Sequence, residues 1–441
     1  MIPTRDFTKG IIDRALELSK ADGAQVTVEA SREANLRYAN TEVSTSGDTT
    51  NLVVSVRSFF GKQSGASSIN QLDDDSLERA VRRSEETARY APEDPEAMPL
   101  LGPQEYAVRD LWDDATVEAD PQLRAEVAAK AIALGKKRDL QMAGFFTNAG
   151  YASALGNSNG LFAFDRRTLV TFSNTARTKG GSGWAGTNSD TLARMNAPAL
   201  VETAARKAEL SANARPMEPG SYTVILEPSA VADLITYFAF QFDARAAAEG
   251  RSFFAKKGGG TRIGEKVVSE KVTIFTDPAD LRAPGMAYAN EGLPTRRMML
   301  LEDGVLRNLS HSRFWAQKMK AEPTPTPQNL IMEGGSGSLE DLIRDTKDAI
   351  LVTRLWYIRF LDPQTVLLTG LTRDGNFKVT NGRIRHAVQN FRWNDSPVSV
   401  LSNIEAMSEA VRARGSESED FSIVCPAIRT KFHFSSPSEA V

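Results

Sequence analysis

The stretch AQVTVEASREANLRYANTEVSTSGDTTNLVVSVRSFFGKQSGASS, residues 24–68, alternates apolar and polar residues in runs separated by turn signals. Alternation of period two marks strands with one buried face. The stretch predicts three or four antiparallel strands. Directly after it, LDDDSLERAVRRSEETARYAPED (72–94) reads as a helix. Acidic residues crowd its first turn, Asp75 and Glu78 have capping-box spacing, Leu77, Ala80, Val81 and Ala88 make a buried stripe, and Pro92 closes it. A block of strands followed by helices argues for an α+β fold over alternating βαβ units.

The same outline recurs. PQLRAEVAAKAIALGKKRD (121–139) is a helix, and residues 141–177 form a second set of strands with the hairpin turn NSNG at 157–160. TLARMNAPALVETAARKAELSANA (191–214) is the next helix. Residues 1–215 therefore read as a two-part N-terminal domain of antiparallel sheets and helices, with parts at about 1–100 and 115–215. RPMEPGSY (215–222), with two prolines and a glycine, marks the boundary. Residues 216–441 predict a second domain, a mixed, mainly antiparallel sheet with packed helices. Its signals are the strand YTVILEP (222–228), a capping box at Ser338 and Asp341, turns at LDPQT, TRDGN and TNGRI, a helix over 399–415, and a final strand over 421–434.

Composition narrows the function. The 441 residues carry a net charge of −3, so no basic field attracts nucleic acid or anionic lipid. A single cysteine, Cys425, rules out an internal disulfide framework and suits a reducing compartment. No segment approaches the roughly 20 consecutive apolar residues that span a bilayer, and the N-terminus lacks a secretory h-region. A cytoplasmic protein with neither nucleic acid nor membrane as partner is expected.

Conventional catalytic motifs are missing. KKGGGTRIGEKV (256–267) has Glu265 where a phosphate loop needs lysine, and it reads as a connector. His311, His386 and His433 stand alone, without a second histidine or a glutamate at metal-helix spacing. No GxSxG elbow is present. A long-range set built from Cys425 and His433 stays open as an alternative.

One helix is conspicuous for its lack of chemistry. ADLITYFAFQFDARAAAEG (232–250) reads as a single helix, apolar nearly all round and therefore buried.

Together these segments resemble the TldD/PmbA (TldE) proteins, a metallopeptidase family once named modulators of DNA gyrase. GSYTVILEPSAVADL (220–234), NEGLPTRRMMLLEDGVL (290–306), GSLEDLIRDTKDAILV (337–352) and LTRDGNFKVTNGRI (371–384) carry the likeness, joined by VSVRSFFGKQSGASS (54–68) and GNSNGL (156–161). Catalytic members of the family bear HExxxH on the helix after the VILEP-like strand, with a cysteine near the C-terminus. By ungapped reading those helix positions fall on Ile235, Thr236 and Phe240, and the cysteine's segment reads GSESEDFS (415–422), upstream of Cys425. The resemblance implies the TldE-like branch, with no catalytic or metal-binding residue in this chain. Ile235 and Phe240 then read as apolar filling of a vacated site. It further implies zinc in an HExxxH-bearing TldD-like partner, as a heterodimer, and unfolded or leader-type peptides as substrate. A self-sufficient peptidase and a peptide-binding homodimer are the alternatives. Asn157, Asn159 and Gly160 are the expected peptide-cleft residues.

Overall fold

The computed structural model describes residues 2–107, 109, 111–417 and 422–438. Helix α1 (Arg5–Leu18) precedes three strands, β1 (Gly23–Ala39), β2 (Glu42–Phe60) and β3 (Gln63–Ile69), and helix α2 (Asp74–Tyr90). After the short α3 (Asp114–Val117), helix α4 (Pro121–Arg138) leads into β4 (Gln141–Asn157), β5 (Phe162–Thr178), β6 (Gly181–Ser189) and helix α5 (Ala197–Ser211). The two strand sets do not make separate sheets. They join through β1 and β4 into one antiparallel sheet, ordered β3-β2-β1-β4-β5-β6.

Burial explains why this sheet is one-sided. The β1–β4 register runs unbroken from Gln25↔Asn157 to Tyr38↔Gly144, so Val26, Val28, Leu36, Tyr38, Phe146 and Ala154 all point to one face. Helices α1 and α2 cover one end of that face, and α4 and α5 the other. Among the described residues, the opposite face carries no helix.

The two outer strands repeat one device. On β3, a Cβ at Gly65 would collide with the α2 backbone at Ala88 and Ser84; on β6, one at Gly183 would collide with α5 at Ala204 and Ala208. Each helix therefore lies directly on its outer strand.

The C-terminal half opens with β7 (Gly220–Leu226), α6 (Pro228–Ala239) and α7 (Ala244–Ala248). A mixed six-stranded sheet combines β8 (Ile274–Thr276), β11 (Met298–Glu302), β12 (Val305–Leu306), β13 (Asn329–Met332), β19 (Val411–Ala413) and β20 (Ser422–Cys425), while β9 (Tyr288–Ala289) and β10 (Leu293–Pro294) form a small ribbon. The last sheet runs β14 (Asp348–Asp362), β7, β21 (Ile428–Ser438), β17 (Asn390–Asp395), β15 (Leu367–Thr380), β16 (Arg383–Val388). It closes on itself because β14 also pairs with β15, and β18 (Ala406–Met407) pairs with β21. Helices α8 (Arg313–Met319), α9 (Leu339–Arg344) and α10 (Pro397–Ser402) complete the chain. Among the described residues, β7–β14 and β13–β20 are the strand pairs that run parallel, so the mixed, mainly antiparallel α+β architecture is the one expected.

Several local expectations are corrected. The cap of α2 is Asp73, whose carboxylate accepts from Ser76 N at 2.9 Å, in place of Asp75. Helix α5 starts at Ala197, where the Asn196 side chain caps Ala199 N. The expected helix over 399–415 stops at Ser402, because the following residues pair with β21 and β20 instead. The expected final strand divides at Pro426, which has no N–H for a ladder. TRDGN is not a turn but an irregular stretch inside β15, with Asp374 at φ 58° and Gly375 at φ 120°. The Ser338–Asp341 capping box is present.

Gly65→Ala and Gly183→Ala should each lower the unfolding free energy by about 1–3 kcal/mol. Gly47→Ala, whose added methyl meets nothing within 4 Å, should cost nothing. Urea unfolding measures all three; equal losses would show that close helix approach is not the reason for the two glycines.

Candidate functional site

Two regions could carry function: helix α6 at the centre of the C-terminal half, and the uncovered face of the N-terminal sheet.

Glu227 precedes α6 without capping it through its side chain, which pairs with Lys207 of α5 at 2.7 Å, both side chains largely buried. Ala230, Val231, Leu234, Ile235 and Phe238 then sink into the main hydrophobic core. The stretch is not one helix to Gly250: α6 ends at Ala239, and Asp243 caps the separate α7 by accepting from Ala246 N at 2.6 Å. Ile235 is buried, and Thr236 spends its hydroxyl on the Ala232 carbonyl at 2.8 Å. Phe240, expected as filling, is 64% exposed, because it follows the last helical residue and faces outward. The aromatic filling is Phe238, packed with Phe242 and Phe254 at centroid distances of 5.4 and 5.5 Å. These side chains do not fit a metal ion.

Asp233 is the polar exception on α6. Its fully buried carboxylate accepts from two consecutive amides, Ser416 N at 3.0 Å and Glu417 N at 2.9 Å. Burial raises its pKa to about 7; the two amides oppose the rise, Glu417 adds to it, and Arg354 moderates it. Nothing in the sequence pattern singled this residue out. The segment 415–422 is thus tied to α6 at its start, while residues 418–421 of it lie outside the described residues.

The alternative ligand set is not brought together. Cys425 is buried on β20, donates to the Pro228 carbonyl at 3.3 Å, and has its pKa raised by burial. His433 stands on β21, its Nδ1 3.1 Å from Ser221 Oγ. Among the described residues, no group of three or more His, Cys, Asp or Glu could hold a metal.

The uncovered sheet face is polar by register. One cross-strand row reads Asn51, Ser31, Tyr151, Arg167, and the next reads Val53, Glu29, Ser153, Asp165. Tyr151 OH donates to Glu33 at 3.0 Å, and the Ser153 and Tyr288 hydroxyls meet at 2.6 Å. The loop bearing Met286 walls one side, fixed by Ala287 N donating to Asp165 and by Arg109 donating to the Gly285 and Met286 carbonyls. A cavity of about 320 Å³ lies between this wall and the rows. Asn157, Asn159 and Gly160, the residues expected at a cleft, form the β4–β5 turn. Asn157 is buried and donates to the Leu101 carbonyl, Asn159 donates to the Leu100 carbonyl, and Gly160 takes φ +85° to close the turn.

Three sequence models match successive parts of the chain: PmbA/TldA metallopeptidase domain 1 over residues 24–88, the central domain over 110–212, and the C-terminal domain over 219–435. This chain belongs to the PmbA/TldD metallopeptidase family. A metalloprotease of Methanocaldococcus jannaschii is 29% identical over 153 residues, 32% of this chain and 33% of that one. A TldD homologue of Buchnera aphidicola is 23% identical over 167 residues, 34% of each chain. The match spans about a third of the length of these curated relatives. In fold, TldE from Thermococcus kodakarensis superposes with a TM-score of 0.85 at 19% identity, covering 97% of this chain and 99% of the other. A candidate DNA gyrase modulator from Bacteroides thetaiotaomicron gives 0.83, also at 19% identity, covering 99% and 100%. Among the described residues, no helix of this PmbA/TldD member is long and apolar enough to cross a membrane.

The raised acid at Asp233 has a measurable sign. Between its ordinary 3.8 and about 7, the folded chain holds a proton there that the unfolded chain has released, so this contribution to stability falls as pH rises. The stability difference, native chain minus Asp233→Asn, should decline by about 4 kcal/mol from pH 4 to pH 7.5. Chemical denaturation at both pH values tests this; a flat difference contradicts a desolvated carboxyl at this position.

Proposed function

We propose that this chain is the non-catalytic, TldE-like subunit of a cytoplasmic TldD/TldE-type zinc metallopeptidase that processes unfolded or leader-type peptides. The observation that carries the reading is the content of α6: Ile235 in the core, Thr236 bonded to its own helix, and Phe240 past the helix end. The Asp233 carboxylate supports it. It fastens the following segment to α6 through two amides, a link made without metal ligands. Zinc and the water-activating glutamate would belong to an HExxxH-bearing partner chain.

This chain would contribute the cleft. The uncovered sheet face presents hydroxyl, amide and charged groups along β1, β4 and β5, a floor suited to an extended peptide. The backbones of β1, β4 and β5 are already paired with neighbouring strands, so an extended peptide on this face would be held by side-chain hydroxyl, amide and charged groups donating to and accepting from its main chain.

Purification of the chain alone, and after co-expression with an HExxxH-bearing chain of the same family, tests the proposal. The pair should hold about one zinc and cleave an unstructured peptide, and the lone chain should do neither. Stoichiometric zinc and cleavage by the lone chain would overturn the reading. Failure to pair would shift it to a peptide-binding homodimer.

A further inference from the structure

Strand β2 has a long open edge. On its inner side it pairs with β1 from Glu42 to Phe59, and the register is regular from Thr45 onward. On its outer side β3 covers only Val54 to Phe60 and ends at Ile69. Among the described residues, no strand, isolated bridge or backbone hydrogen bond reaches the outer side of Thr45–Val53. At about 3.3 Å per residue this edge is about 30 Å long, and every second residue points its N–H and C=O outward. Each residue from Thr45 to Asn51 is exposed. Open edges are usually guarded by lysine or proline, and residues 45–53 contain no lysine, arginine or proline. Their one charge, Asp48, is held by the buried Arg124 at 3.4 Å, and the Ser46 hydroxyl donates to the Asn35 carbonyl of β1 at 3.1 Å. The strand is thus fixed from within and bare outside. The far end of the same sheet is closed, because β6 lies against β15 and β19.

We infer that this edge receives an extended peptide as an added strand, paired through main-chain hydrogen bonds along Thr45–Val53. The inference rests on the reading of this chain as part of a peptide-processing assembly. The inner strands have their main chains already paired, so the edge offers what the polar face does not. The two are continuous. Asn51 and Val53 line the 320 Å³ cavity, and a strand added outside them lies beside the polar floor with the same alternation of side chains. The flanking groups are short and mostly hydroxylic, so they select little by side chain. They favour a neutral, proline-free segment that stays extended. A second copy of the chain is the poorer occupant: residues 45–51 carry no large apolar side chain, and homodimer interfaces have an apolar centre.

Fluorescence anisotropy tests this with a labelled ten-residue Ser/Thr/Ala peptide and a copy N-methylated at its five central residues. The full chain is used alone and paired with an HExxxH-bearing chain, with zinc chelated. Methylation keeps every side chain and carbonyl but removes donors, so affinity should fall about tenfold or more. Thr49→Pro and Thr50→Pro divide the donors of the edge itself. In regular pairing one of these two N–H groups faces β1 and the other faces outward. One variant should therefore keep the native Tm, and that variant should lose peptide affinity by a similar factor. A benzophenone at the centre of the peptide should crosslink within residues 45–53. Equal binding of the methylated peptide, or crosslinks confined to β4 and β5, overturns the edge and leaves the polar face as the peptide site. Binding of neither peptide overturns the edge and the peptide cleft together. Dimerisation of the chain in sedimentation, abolished by the variant with native Tm, assigns the edge to a second copy and overturns the inference.

Discussion

The long antiparallel pairing of β1 with β4 is the constraint on which the molecule depends. Its register is continuous, and side chains alternate between faces with a period of two. Apolar residues on one face of the two central strands therefore commit the whole sheet to a single buried side. Helices α1 to α5 pack on that side, and the closeness of α2 and α5 to the outer strands at Gly65 and Gly183 leaves little slack. The middle of the other side is left to polar residues, while Leu155 and Ala163 on that side pack against Tyr288. The floor of the proposed cleft thus follows from how the sheet is buried, and needs no separate structural device.

A second constraint couples the halves. Lys207 on α5 pairs with Glu227 at the head of α6, while the Arg354 guanidinium lies 4.8 Å from the Trp184 ring centroid of β6 and bonds Asp374. Buried charges of this kind are costly unless paired, so the sheet and α6 hold a defined relation. That relation places the polar sheet face and α6 in one body. Asp233 completes it by holding the segment after β19 against the same helix.

Much of this was readable beforehand where local rules decide. Alternation announced the strands of 24–68 and 141–177, the Ser338 capping box announced α9, and the apolar stretch after VILEP announced a buried helix. The readings that failed share a cause. Residues 399–415 have helical spacing, but Ala406 and Met407 find partners on β21 and Val411–Ala413 on β20, and ladder bonds to distant strands outweigh local propensity. Phe240 is apolar and close to buried residues in sequence, yet the helix ends before it. The asparagines of NSNG donate to the Leu100 and Leu101 carbonyls, contacts that only the folded chain reveals.

By itself the sequence determined the α+β class, the one-sided strands and the absence of HExxxH on the helix after VILEP, because periodicity and residue chemistry are local properties. Tertiary structure alone decided that the two strand sets merge through β1 and β4. It also decided that Asp233 finds its partners in Ser416 and Glu417, and that Glu29, Ser153 and Asp165 line one row. Register and long-range contact create those neighbours, and a linear chain does not record which residues register will place side by side.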